Sequence, residues 1–99
     1  MPAEVHIITV DEARAILRLD SDYPEEELEA IIAEATSFVN RKTNHEWDRD
    51  ETPDPLAKLA VRYKVQELFY HDSEHEFSAT VTSVCEDLRD VLRMRGDRP

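Results

Sequence analysis

The feature that most constrains this chain is a pair of closely spaced helix starts near its N-terminus. Thr9 and Glu12 form a capping-box pattern, in which each side chain accepts a hydrogen bond from the other residue's backbone N–H. Pro24 and the three glutamates at 25–27 mark the second start. Proline fits the first turn of a helix, and carboxylates favour the positive end of the helix dipole. We therefore expect two helices joined by a short turn.

Apolar residues continue at helical spacing along the rest of the chain, and the fold class predicted is all-α. The bundle has four helices with polar connecting loops, at about 10–19, 24–43, 55–70 and 83–94. Asp54 caps the third helix and Pro55 occupies its first turn. Because this helix is the most apolar of the four, we expect it at the centre of the bundle.

The connection between the second and third helices carries one large apolar residue. Asp22 or Tyr23 is expected to cap the second helix, and Asn44 to close it in the left-handed conformation. Residues 45–54 then read as a polar loop, in which Trp47 is pinned against a neighbouring surface.

The remaining segments are less regular. Residues 1–8 are expected to be an extended arm or a short strand, and 95–99 a flexible tail. Residues 71–77 are predicted to be a connection, and 78–82 could be extended because they are rich in β-branched side chains. With 99 residues, positions 1–99 form a single domain.

The charge and the cysteine content of the chain limit the kinds of function that it can have. The chain has 12 basic and 23 acidic residues, a net charge of −11, and this surface disfavours binding to nucleic-acid phosphates. Its single cysteine excludes an internal disulfide and fits a reducing compartment. No secretory signal or membrane-spanning run is visible, and we expect a soluble protein made in a cytoplasm.

Three patterns are candidates for metal or acid–base chemistry, and each has a simpler interpretation. Residues 71–75 match the H-x-x-E-H zinc pattern, but that motif needs a helix and a third ligand, and a solvated loop is the alternative. The pairs Asp48/Asp50 and Glu26/Glu29 could bind calcium or act as acid and base. We expect exposed surface carboxylates instead, and therefore no metal, no cofactor and no enzyme activity.

Cys85 and three aromatic residues also have alternative interpretations. A cysteine near the start of the last helix could have a lowered pKa, whereas packing in the core is the expected role. Tyr63, Phe69 and Tyr70 could form a platform for stacking bases, but their helical spacing favours core packing.

The C-terminal arginines are the one set for which two interpretations stay open. Arg89, Arg93, Arg95 and Arg98 lie in an otherwise acidic chain. They can complement the negative end of the last helix's dipole, or they can contact an acidic surface on a copy of the chain or a partner. Arg93, Arg95 and Arg98 are therefore the candidate partner contacts.

Residues 8–94 resemble the phage head–tail connector (adaptor) family, whose members were formerly labelled putative DNA-packaging proteins. The order and spacing of three groups of segments carry this resemblance. The groups are 9–14 with 17–20; 28–35 with 38–40, Thr43 and Trp47; and 55–61 with 69–70.

The resemblance implies a structural virion protein without catalysis. Such subunits form a ring of about twelve copies between the portal and the tail or stopper protein of a tailed phage. The ring extends the DNA channel and helps to complete the head. DNA would pass through without sequence-specific binding, and an acidic lumen would repel it and let it slide. The expected location is the head–tail junction of the virion, after synthesis in the bacterial cytoplasm. The alternative is a small acidic cytoplasmic protein-binding module or regulator.

Overall fold

The computed structural model describes residues 7–50, 54–70 and 76–95. It contains four α-helices and one 3₁₀ turn: α1 (Val10–Leu17), α2 (Glu25–Thr43), the 3₁₀ turn (Trp47–Arg49), α3 (Pro55–Phe69) and α4 (Glu76–Arg95). No strand occurs within these ranges. The prediction of a small all-α bundle of four helices is confirmed.

Helix α1 begins with the expected capping box and ends earlier than predicted. The Thr9 hydroxyl accepts from the Glu12 backbone N–H at 3.1 Å, and the Glu12 carboxylate accepts from the Thr9 N–H at 2.8 Å. The helix stops at Leu17 because Arg18 adopts the left-handed conformation, with φ of 57°. The Leu19 N–H then bonds to the Arg14 carbonyl, which closes the last turn.

The start of α2 differs from the prediction, whereas its end agrees with it. Pro24 is itself the residue that precedes the first turn, and no side chain caps the helix there. The expected cap from Asp22 or Tyr23 is therefore wrong. Asn44 closes the helix with φ of 59°, as expected, because a short amide side chain tolerates the left-handed region.

Helix α3 lies at the centre of the bundle and contacts each of the other three helices. The Asp54 carboxylate caps it by accepting from the Leu56 N–H at 2.9 Å, and Pro55 occupies its first turn. Side chains from all four helices share one core, with Ile7 and Ile8 from the preceding segment buried in it. Residues 1–6 of the predicted arm lie outside the described part of the chain.

Helix α4 begins at Glu76, well before the predicted start at residue 83. The interpretation of 78–82 as extended is therefore wrong, and residues 76–77 of the predicted connection belong to the helix. Buried Val81 continues the apolar stripe of Val84, Cys85 and Leu88 by one turn toward the N-terminus. Packing of this stripe outweighs the weak helix preference of the threonines beside it. None of the described helices is long and apolar enough to span a membrane.

One carboxylate both caps α1 and joins it to α3. Glu12 Oε1 accepts from the Thr9 N–H, while Glu12 Oε2 lies 2.7 Å from Lys58 Nζ. Lys58 is the main cause of a lowered pKa for Glu12, and the hydrogen bonds from Thr9 lower it further against the opposing effect of burial. Protonation of this one group therefore weakens two contacts together.

We expect Glu12→Gln to destabilise the protein near neutral pH by up to about 1 kcal/mol, because it keeps the cap acceptor and removes the charge facing Lys58. A lowered folded-state pKa stabilises the fold above the ordinary carboxyl pKa, and this effect is lost as pH falls through the lowered value. Urea unfolding should therefore show a deficit that shrinks in acid. Glu34→Gln, at an exposed site on α2, is the control. A deficit independent of pH would contradict the assignment.

Candidate interaction surfaces

Trp47, the single tryptophan of the chain, fastens the segment after α2 back onto that helix. Its side chain is fully buried, and its indole N–H donates to the Thr43 hydroxyl at 2.7 Å. The Thr43 hydroxyl donates in turn to the Val39 carbonyl at 2.8 Å. The Trp47 backbone N–H donates to the Asn40 side-chain oxygen at 3.1 Å. These contacts define the Trp47 anchor, and the prediction that Trp47 is pinned against a neighbouring surface is confirmed.

An open polar cleft of about 730 Å³ lies beside the Trp47 anchor. The Asn40 side-chain amide donates to Asp48 at 2.9 Å. His45 Nε2 lies 3.0 Å from both carboxylate oxygens of Asp50, and its ring meets the Trp47 indole edge-on at 4.5 Å. The predicted pair Asp48/Asp50 is therefore divided between different partners. These contacts hold the loop in place.

The other metal and acid–base candidates gain no support from the geometry. Glu26 and Glu29 are both exposed on α2. Within the described ranges, no group of three or more His, Cys, Asp or Glu residues could hold a metal ion. The zinc pattern at 71–75 lies outside the described residues.

A second cavity, of about 180 Å³, lies between α2 and α4. We call it the Phe38 groove, and its lining residues are Phe38, Lys42, Thr82, Cys85, Glu86 and Arg89. Lys64 reaches it from α3, with Nζ 3.8 Å from the centre of the Phe38 ring, and Lys42 Nζ lies 5.5 Å from the same point. Both distances permit cation–π attraction.

The Phe38 groove reverses the sign of the surrounding charge. Two cations line it, Lys42 and Arg89, and a third, the largely buried Lys64, lies against the Phe38 ring. Two carboxylates accompany them: Glu86 lines the groove, and Glu67 lies 3.0 Å from Lys64 Nζ. The cluster is thus slightly positive in a chain whose net charge is −11. Such a reversal attracts an acidic partner surface.

Cys85 forms part of this groove and is buried, as core packing predicts. Its predicted place near the start of the last helix is wrong, because α4 begins at Glu76. The helix dipole therefore does not activate it. Burial raises the pKa of the thiol and outweighs the opposing effect of Lys42 and Lys64. A thiol of this kind is a packing group and a poor nucleophile.

The C-terminal arginines predicted as partner contacts do not form one cluster among the described residues. Arg93 is exposed and pairs with Asp90 on the same helix. Arg89 lines the Phe38 groove. The side chain of Arg95, and all of Arg98, lie outside the described part of the chain. Sequence reasoning missed Phe38, Lys42 and Lys64 as members of a charged surface, although Phe38 and Lys42 stand one helical turn apart.

Two of the three aromatic residues considered as a stacking platform pack against the core, as predicted, whereas Tyr70 is exposed. Tyr63 and Phe69 are half-buried against the core. Phe69 meets Tyr23 and Tyr70 edge-on, with ring centres 5.8 and 5.1 Å apart. The Tyr70 hydroxyl donates to the Leu17 carbonyl at 3.3 Å. These contacts join the end of α3 to α1 and to the turn before α2.

The N-terminus of α2 is the acidic counterpart of the Phe38 groove. Pro24 and the glutamates at 25–27 are all exposed, and we call residues 24–27 the acidic turn. Glu27 is hydrogen-bonded to the Tyr23 hydroxyl. Among the described residues, no ion pair joins Glu25 or Glu26 to a cation. This surface is therefore available to a basic partner.

Comparison with known proteins supplies no relative: no family model, no curated protein and no solved structure matches the chain. The residues and their geometry are therefore the basis on which a function can be proposed.

We expect Thr43→Val to destabilise the protein by about 1–3 kcal/mol, because it leaves the buried Trp47 indole N–H without its acceptor. Thr36→Val is a matched control on the same helix. The Thr36 hydroxyl is buried and has no hydrogen-bond partner in the described part of the chain, so its removal should be neutral or stabilising. Urea unfolding measures both. Equal losses of stability would contradict a structural role for the anchor.

We expect Cys85 in the folded protein to react with a thiol reagent at least about tenfold more slowly than in urea, because burial shields the thiol and raises its pKa. Reaction of the native protein at the rate of the unfolded chain would show that the side chain is accessible. Absorbance of the released reporter group measures both rates.

Proposed function

We propose that this protein is a structural head–tail connector, a subunit that forms a ring between the portal and the tail or stopper of a tailed phage. The Trp47 anchor is the observation that carries the proposal. Thr43 and Trp47 are two of the positions on which the resemblance to that family rests, and a buried hydrogen bond of 2.7 Å joins them. Two motif residues that form a hydrogen bond with each other have a structural reason to occur together. They support the resemblance better than residues that match the family only in their spacing.

The other segments of the resemblance also correspond to structural junctions. Residues 9–14 contain the capping box, 28–35 include the core residues Leu28 and Ile32, and 55–61 open the central helix. Phe69 and Tyr70 tie the end of α3 to its neighbours. The residues behind the resemblance therefore specify how the bundle is held together, as a family of structural subunits requires.

The chemistry of the surfaces agrees with an assembly role. In the large cleft Asn40 is bonded to Asp48 and His45 to Asp50, and the thiol of the small groove has a raised pKa. The surface instead carries two regions of opposite charge, the slightly positive Phe38 groove and the acidic turn. In a ring, the acidic surplus of −11 would repel DNA phosphates and keep the channel from binding the genome.

We expect the purified chain to bind portal rings encoded in the same genome, with about twelve copies per ring. Gel filtration with light scattering measures the mass of the complex, and electron microscopy locates the added density. An unrelated acidic protein of similar size and charge is the control for non-specific attraction. A chain that stays monomeric and ignores portals would contradict the connector role and favour the protein-binding module.

A further inference from the structure

We infer that the Phe38 groove binds the acidic turn of a second copy of this chain. The inference rests on the proposed connector role and names the contact through which neighbouring subunits would meet. It assigns the groove, formed by α2 and α4, to residues 24–27 of the adjacent subunit.

The two surfaces match in charge. Lys42 and Arg89 line the groove together with one carboxylate, Glu86, while Glu25 and Glu26 are exposed and have no ion pair within the described residues. Opposite charges at an interface steer encounter and fix register. The net charge of the chain is −11, so two copies repel each other overall, and a locally positive groove is a favourable place for an acidic turn to dock.

They also match in apolar character. The exposed ring of Pro24 stands directly before the glutamates, and the half-buried ring of Phe38 lies among the cations. A proline against an aromatic face would bury apolar surface at the centre of the contact, and the charges would surround it. Interfaces of this kind have an apolar centre and a polar rim.

The acidic turn cannot reach the groove of its own chain. Glu26 and Lys42 lie on the same helix, and the helical rise places them about 24 Å apart along its axis. The contact must therefore join two copies. Because the two surfaces differ, it is a head-to-tail contact, and repetition of such a contact closes a ring when the rotation permits.

Charge exchange tests the contact directly. We expect Lys42→Glu and Glu26→Lys each to weaken self-association of the full chain about tenfold at low ionic strength, because each reversal replaces attraction with repulsion. The double variant should restore association, since the exchanged charges again attract each other. Sedimentation velocity over a concentration series measures the affinities, and circular dichroism checks that each variant is folded.

A neighbouring charge reversal is the control. Arg41 lies beside Lys42 in the same last turn of α2 but lines the polar cleft. Arg41→Glu should leave association near the wild-type value. A loss from Arg41→Glu as large as that from Lys42→Glu, or no rescue by the double variant, would overturn the inference.

The inference and the connector role fail in different ways. Wild-type rings that are insensitive to Lys42→Glu would overturn the inference and leave the connector role intact. A chain that stays monomeric at millimolar concentration and low salt would also overturn it, and portal binding would then decide the function. Loss of portal binding by Lys42→Glu, with self-association unchanged, would assign the groove to the portal instead.

Discussion

The bundle depends on a central helix, α3, whose buried side chains are all small. Helix α3 contacts the other three helices, and the residues it buries are only alanines and valines: Ala57, Ala60, Val61 and Val65. The larger fully buried side chains come from its neighbours, such as Leu28 and Ile32 on α2 and Leu88 and Leu92 on α4. Small side chains on one helix let larger ones interdigitate against it without voids. Such complementarity allows a short chain to enclose one core.

The local parts of this fold were predictable from sequence because they depend on neighbouring residues. The Thr9–Glu12 box, the Asp54 cap and the left-handed Asn44 each follow from chemistry within one helical turn. The start of α4 was not predictable in this way. Its first described turns contain β-branched residues, and only the tertiary burial of Val81 shows that the helix continues through them.

The candidate site was less predictable, since three separate helices build it. The spacing of Phe38 and Lys42 shows that they share a face of α2, and basic residues were visible in α4. Nothing local shows that Lys64 on α3 lies over the Phe38 ring, or that Arg89 on α4 lines the same groove as Phe38. Those relations depend on how helices cross, which the hydrophobic pattern of a single chain leaves open.

The position of Trp47 in the anchor has a consequence for fluorescence measurements on this protein. The chain has a single tryptophan, which is fully buried beside His45 at the end of α2. It belongs to the anchor and does not line the Phe38 groove. Its fluorescence therefore reports whether the bundle is folded, and a copy docked in the groove would not contact the indole. The protein thus carries an intrinsic optical probe that separates folding from assembly in the same sample.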